Sequence, residues 1–197
     1  AEPWYRLLEV RRELERDIKH FYTEPDIMIL GPTHLVCIEA KFTSGNPIAL
    51  NKNEDANDGE KPKSRNGIIK RYVRPVKIND KWLSPIIQPE QLGDKVHSQL
   101  LRMIIFTSFM AQLEGRHWIV ANLVSKTQWD KKKTSSGDDF TNPTPSIPVC
   151  VRNNFRFIFW EDAIYKKVLK QDSALVELSE YMENKTANLK KAFDMSD

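Results

Sequence analysis

Apolar positions recur along this chain with two different periods, and the changes of period mark its elements. Trp4, Leu7, Leu8, Leu14, Ile18 and Phe21 fall at helical spacing, with Glu9, Glu13, Glu15 and Asp17 among basic residues on the other sides. Pro3 suits a first helical turn and Pro25 disfavours helical geometry at Glu24, so the spacing predicts a helix that ends before Pro25. Ile27-Met28-Ile29-Leu30 then reads as a short strand, Gly31-Pro32-Thr33-His34 as a turn, and Leu35 to Phe42 as a second strand. That second strand is apolar for most of its length, which suggests a strand covered on both faces.

Val96, Leu100, Met103, Ile104, Phe106, Phe109, Met110 and Leu113 form a wide apolar face, predicting a buried helix over about 94–114 that Gly115 ends. His117 to Val124 and Phe155 to Trp160 read as strands, and Glu161-Asp162 open a further helix with acids in its first turn. A last helix is expected from Asp172 to about Phe193. Residues 44–67 are polar and rich in Asn, Asp, Gly, Lys and Pro; one or two short strands are expected within 68–78, and 125–148 form a second polar loop. No internal repeat is visible. The order predicts an α/β domain with a mixed central β-sheet flanked by helices. Its length suits a single domain over 1–197, with a polar, basic insertion at about 44–90.

Composition adds bounds. A chain of 197 residues, 40% hydrophobic and 29% charged, can bury a core without staples. No apolar run reaches the length of a membrane span, so no membrane partner is expected. The start, Ala1-Glu2-Pro3-Trp4, has no secretory-signal pattern, and the missing initiator Met suggests a processed chain or a piece of a longer protein. Cys37 lies in an apolar strand and Cys150 far from it, with no disulfide framework or zinc cluster, which fits a reducing, cytoplasmic setting.

The net charge of +3 says less than its distribution. Lys61, Lys63, Arg65, Lys70, Arg71, Arg74, Lys77 and Lys81 share one stretch with a single acid, Asp80, and Lys131-Lys132-Lys133 form a smaller cluster. Such runs are solvated loops or phosphate-contacting patches. The second reading gains weight only beside phosphate chemistry.

Three residues supply a candidate for that chemistry. Glu39 and Lys41 are two apart on one strand and so point to one face. Asp26 begins the partner strand, and a tight hairpin can bring its carboxylate beside Glu39. A strand this apolar has little structural reason to carry a carboxylate and an ammonium, and buried charges need partners or a metal. Two converging carboxylates, with the Ala40 carbonyl between Glu39 and Lys41 as a further oxygen, suit Mg²⁺ or Mn²⁺. A divalent cation activates water and clamps a phosphate, and a lysine stabilises the developing negative charge.

Pro25-Asp26 followed by Glu39-Ala40-Lys41 resembles the motif of the PD-(D/E)XK nuclease superfamily, which includes restriction and repair endonucleases. The resemblance covers roughly residues 4–125: a helix, two motif-bearing strands, a helix and a strand. It implies a restriction-endonuclease-like core and Mg²⁺- or Mn²⁺-dependent hydrolysis of DNA, with Asp26 and Glu39 on the metal and Lys41 at the water. It also implies an acid from the first helix, Glu13 or alternatively Glu9, and a polar residue on the following helix, Gln99. Lys70, Arg71 and Arg74 would then contact the DNA backbone, and cutting both strands would commonly imply a two-fold homodimer. The alternative is a non-catalytic nucleic-acid-binding module on the same fold. His20, His34, His97 and His117 lack metal-ligand spacing, and no Gly-rich phosphate loop or nucleophile signature is present. The five tryptophans read mainly as core or domain-edge packing.

Overall fold

Strands β1 (Ile27–Leu30) and β2 (His34–Lys41) pair antiparallel around a turn in which the Gly31 N–H donates to the His34 carbonyl, 2.8 Å. The structure, a computed structural model, describes residues 3–16, 23–41, 45–47, 72–92, 96–129, 138–139, 142–165, 171–178 and 180–181. Beside β2 lies β6 (His117–Val124), and beside β6 lies β8 (Phe155–Phe159), both parallel to their neighbours. The central sheet is therefore mixed, in the order β1-β2-β6-β8. Two small ribbons stand apart from it: β3 (Asn46–Pro47) with β7 (Asp138–Asp139), and β4 (Val76–Ile78) with β5 (Lys81–Leu83). The β4–β5 turn puts Asn79 and Asp80 at φ 48° and 62°, the left-handed geometry that a two-residue hairpin loop demands.

Helix α2 (Ser98–Glu114) is apolar around nearly its whole circumference and is buried accordingly, from Leu100 through Ala111. It ends where Gly115 turns left-handed, φ 64°, and donates to the Ala111 carbonyl. Helix α1 (Pro3–Leu14) packs on α2 and β4. Its inward residues are Leu7, Val10 and Leu14, while Trp4 and Leu8 are exposed, so the apolar face is narrower than the sequence spacing suggests. The helix also stops at Leu14, well before Pro25, because Glu15 turns inward to bond Thr23; Ile18 and Phe21 lie outside the described residues.

The main core lies between α1, α2 and one face of the sheet, where Leu35, Cys37, Val120 and Phe155 are buried. Burial pushes the Cys37 thiol up to about 11. The opposite face is covered less fully than expected for β2. Ile38, Ala40 and Ile158 pack with Leu123, Trp160 and Leu175 at one end, while Ile27 and Ile29 on the β1 edge are exposed. Helical turns cover that face: a π-type turn (Glu161–Tyr165) lies where a helix was expected to open, and a 3₁₀ turn (Ser173–Leu175) leads into α-helical geometry at 176–178 and 180–181, where the last helix was expected. Most of the expected last helix, from 182 on, lies outside the described residues. The polar loop 125–148 is not wholly irregular: α3 (Lys126–Trp129) opens it, capped by Glu161, which accepts from the Lys126 N–H at 2.9 Å and the Ser125 hydroxyl at 3.0 Å. Among the described residues, no helix is long and apolar enough to cross a membrane.

Candidate active site

One register row gathers the chemistry. The β1–β2 pairing sets Ile27 opposite Ile38, and one step further it sets Asp26 opposite Glu39. The parallel β2–β6 register then sets Glu39 beside Asn122. Residues paired in this way share a face, here the one packed against α2. The row sits near the carboxyl ends of the parallel strands β2 and β6, where open α/β sheets place their ligands.

Asp26 is exposed and reaches across the strand end, where its Oδ2 accepts the Ala40 N–H at 2.7 Å. In an extended strand a residue's N–H and C=O point to the same edge, so the Ala40 carbonyl faces the Asp26 side as well. Glu39 is 2% exposed. Its Oε1 meets Lys41 Nζ at 2.6 Å and accepts from Gln99 Nε2 at 2.5 Å. Lys41 also donates to Gln99 Oε1, 3.0 Å, which closes a three-membered ring. The ring fixes the Gln99 amide, because an ammonium can only donate and a carboxylate only accept. Lys41 thereby uses two of its three donors.

Glu39 Oε2 is buried and has no hydrogen-bond partner. Burial pushes the Glu39 carboxyl above the usual range, and the nearby Asp26 charge acts in the same sense; Lys41 and Arg102 pull against both. A buried oxygen without a donor, in a carboxylate repelled by a second carboxylate, is the environment a hard cation relieves. Glu39 Oε2, Asp26 and the Ala40 carbonyl therefore fit a Mg²⁺-type ion, which commonly takes one or two carboxylates and completes its shell with water and phosphate. No group of three or more His, Cys, Asp or Glu that could hold a metal is present among the described residues.

The sequence-derived residues divide accordingly. Asp26, Glu39, Ala40, Lys41 and Gln99 come together. Glu13 does not join them: its carboxylate pairs with Arg16 at 3.1 Å, and it lines a cleft of about 370 Å³ along α1 with Leu8, Arg11, Arg12, Glu15 and Arg16. Glu9 is held by Arg6 and Asn79. The inward acid is Glu15, just past the end of this helix, whose carboxylate accepts from the Thr23 N–H at 3.0 Å, the Thr23 hydroxyl at 2.5 Å and the Tyr72 hydroxyl at 3.2 Å.

Of the basic stretch, Lys70 and Arg71 lie outside the described residues, as do Lys61, Lys63, Arg65 and Lys131-Lys132-Lys133. Arg74 donates to the Glu13 carbonyl at 3.1 Å, and Lys81 donates to the Gln112 carbonyl at 2.6 Å. Both serve helix C-terminal carbonyls that lack intrahelical partners. Lys77 pairs with Asp80 at 2.8 Å.

Sequence reasoning missed Arg102 and Asn122. Arg102 is buried one helical turn after Gln99, and its charge acts on Glu39. Asn122 interrupts an apolar strand just as Glu39 does, and that interruption was a readable signal. Set against family models, curated proteins and solved structures, the chain gives no match.

Proposed function

We propose that this protein is a PD-(D/E)XK-like nuclease that hydrolyses DNA phosphodiesters with Mg²⁺ or Mn²⁺. The observation that carries this reading is the unpartnered, buried Oε2 of Glu39 in one register row with Asp26. Asp26, Glu39 Oε2 and the Ala40 carbonyl would hold the cation, which supplies a polarised water and charge relief on the phosphoryl group. Glu39 Oε1 and Gln99 Oε1 orient Lys41, whose remaining N–H is available for the attacking water or a phosphoryl oxygen. Gln99 locks the ring, so Lys41 need not reorganise during the reaction.

Two features favour the rival, a nucleic-acid-binding module without catalysis: no third acid joins the site among the described residues, and Lys41 neutralises one Glu39 oxygen. The two readings separate on incubation of plasmid and single-stranded DNA with Mg²⁺, Mn²⁺ or chelator. The nuclease reading expects metal-dependent cleavage that falls by about a thousandfold or more in Glu39→Ala and Lys41→Ala. Retained affinity for DNA with no cleavage under any metal selects the rival.

A further inference from the structure

We propose that Asn122 and Asn46 are positioning residues for the Asp26–Glu39 centre. This rests on the cation-dependent reading above. Asn122 sits on β6 in the Glu39 row, between the buried Val120 and Val124 of the same face, and is itself 0% exposed. A fully buried amide in an apolar strand must be satisfied to be tolerated. Asn122 Nδ2 donates to the Glu39 carbonyl at 3.3 Å, and its Oδ1 accepts from Asn46 Nδ2 at 2.8 Å. Asn46 is also 0% exposed and lies on β3, opposite Asp139 of β7.

The two amides form a chain from the β3–β7 ribbon through β6 to the backbone of Glu39. The residue at each end of that chain carries a buried side-chain oxygen without a donor: Glu39 Oε2 and Asn46 Oδ1. A purely structural carboxylate has both oxygens matched by the fold, as Glu15 does. The amide chain fixes Glu39 from behind, through its carbonyl, and leaves its outer oxygen open. The amide pair thus sets the height of Glu39 in the row while Lys41 and Gln99 set the direction of its carboxylate.

Calorimetric Mn²⁺ titration of the full chain, beside thermal melts, tests this in the wild type, Asn122→Ala, Asn46→Ala and Val120→Ala. Partners that orient metal ligands from behind are typically worth about 10–100-fold in metal affinity. A loss of that size is expected in Asn122→Ala and a smaller one in Asn46→Ala. Val120→Ala, a cavity on the same strand face, should lower the melting temperature and leave Mn²⁺ affinity unchanged. Wild-type affinity in both Asn variants overturns the proposal, and so does an equal loss in Val120→Ala, which would mark the effect as general loosening. Should Asn122→Ala fail to fold, Asn46→Ala on its two-residue strand decides alone. A wild type that takes up no Mn²⁺ refutes the cation reading itself, and this inference with it.

Discussion

Two acids of this protein, Glu15 and Glu39, are almost equally buried, at 1% and 2% exposure, and are finished in opposite ways. Around Glu15 both carboxylate oxygens are used: Thr23 and Tyr72 donate to Oε1, the Thr23 N–H donates to Oε2, and Arg11 lies 3.8 Å from Oε2. Around Glu39 all the donors crowd on Oε1, and Oε2 receives none. A carboxylate whose oxygens are all matched by the fold has no capacity left for a ligand, and its burial serves the fold. A carboxylate left half matched keeps a charge in a dry place at a cost in stability, which a cation can offset.

Removing the acids should separate these roles most strongly. Glu15→Ala removes the acceptor of both buried Thr23 donors and one acceptor of the Tyr72 hydroxyl, and should lower stability by about 3 kcal/mol in denaturant melts. Glu39→Gln, melted without metal at neutral pH, should not lose stability. A loss matching that of Glu15→Ala would make Glu39 a structural acid and erase the contrast.

pH sharpens it next. Burial raises the Glu39 carboxyl, so the folded state disfavours its charged form. Stability without metal should therefore decline as pH rises from the ordinary carboxylate range through the raised value. The cation needs the carboxylate ionised, so Mn²⁺ affinity should fall as pH drops through that same raised value, by roughly tenfold per unit below it. Calorimetry across pH reads this. Affinity that stays flat down to the range of an exposed glutamate would contradict the assignment.

The smallest effect concerns a fully matched surface network. Arg6 donates to Glu114 and, at 2.7 Å, to Glu9. The Arg6 hydrogen bond holds Glu114 below the usual range; for Glu9, burial works the other way but the bonds from Arg6 and Asn79 prevail. Both depressed groups contribute stability above the ordinary carboxylate range, and that contribution is lost as pH falls through their lowered values. Arg6→Ala should cost about 1 kcal/mol near pH 7, with the deficit vanishing in acid. A deficit that persists in acid would assign the effect to packing.

Much of the frame is legible in the sequence because it depends on local period. β1, the boundaries of β6 and the end of α2 at Gly115 follow from apolar runs and turn residues. The hairpin that brings Asp26 to Glu39 is equally local, since its strands are joined by three residues. Less legible are features decided by distant partners. Glu15 reads as a solvent-facing acid until Tyr72, 57 residues on, supplies a hydroxyl. Glu9, Glu13 and Glu15 look alike in the sequence, and only the folded chain decides which of them turns inward. The basic stretch looks uniform in sequence, yet Arg74 and Lys81 are spent on helix ends. Asn122 and Arg102 needed only closer attention to polar residues inside apolar runs.

The register row also has a consequence for how the molecule is made. Asp26 meets the Ala40 N–H across 14 positions, whereas Gln99 reaches Glu39 across 60, and Asn122 reaches it across 83. Closing long stretches of chain is slow relative to closing a hairpin. The two carboxylates can thus meet within a local hairpin, but the groups that orient them arrive only with α2 and the parallel pairing of β6. On the proposed reading, cation-binding competence would be a property of the folded chain, and a nascent or truncated chain lacking residues beyond the hairpin would carry the acidic pair without the means to aim Glu39.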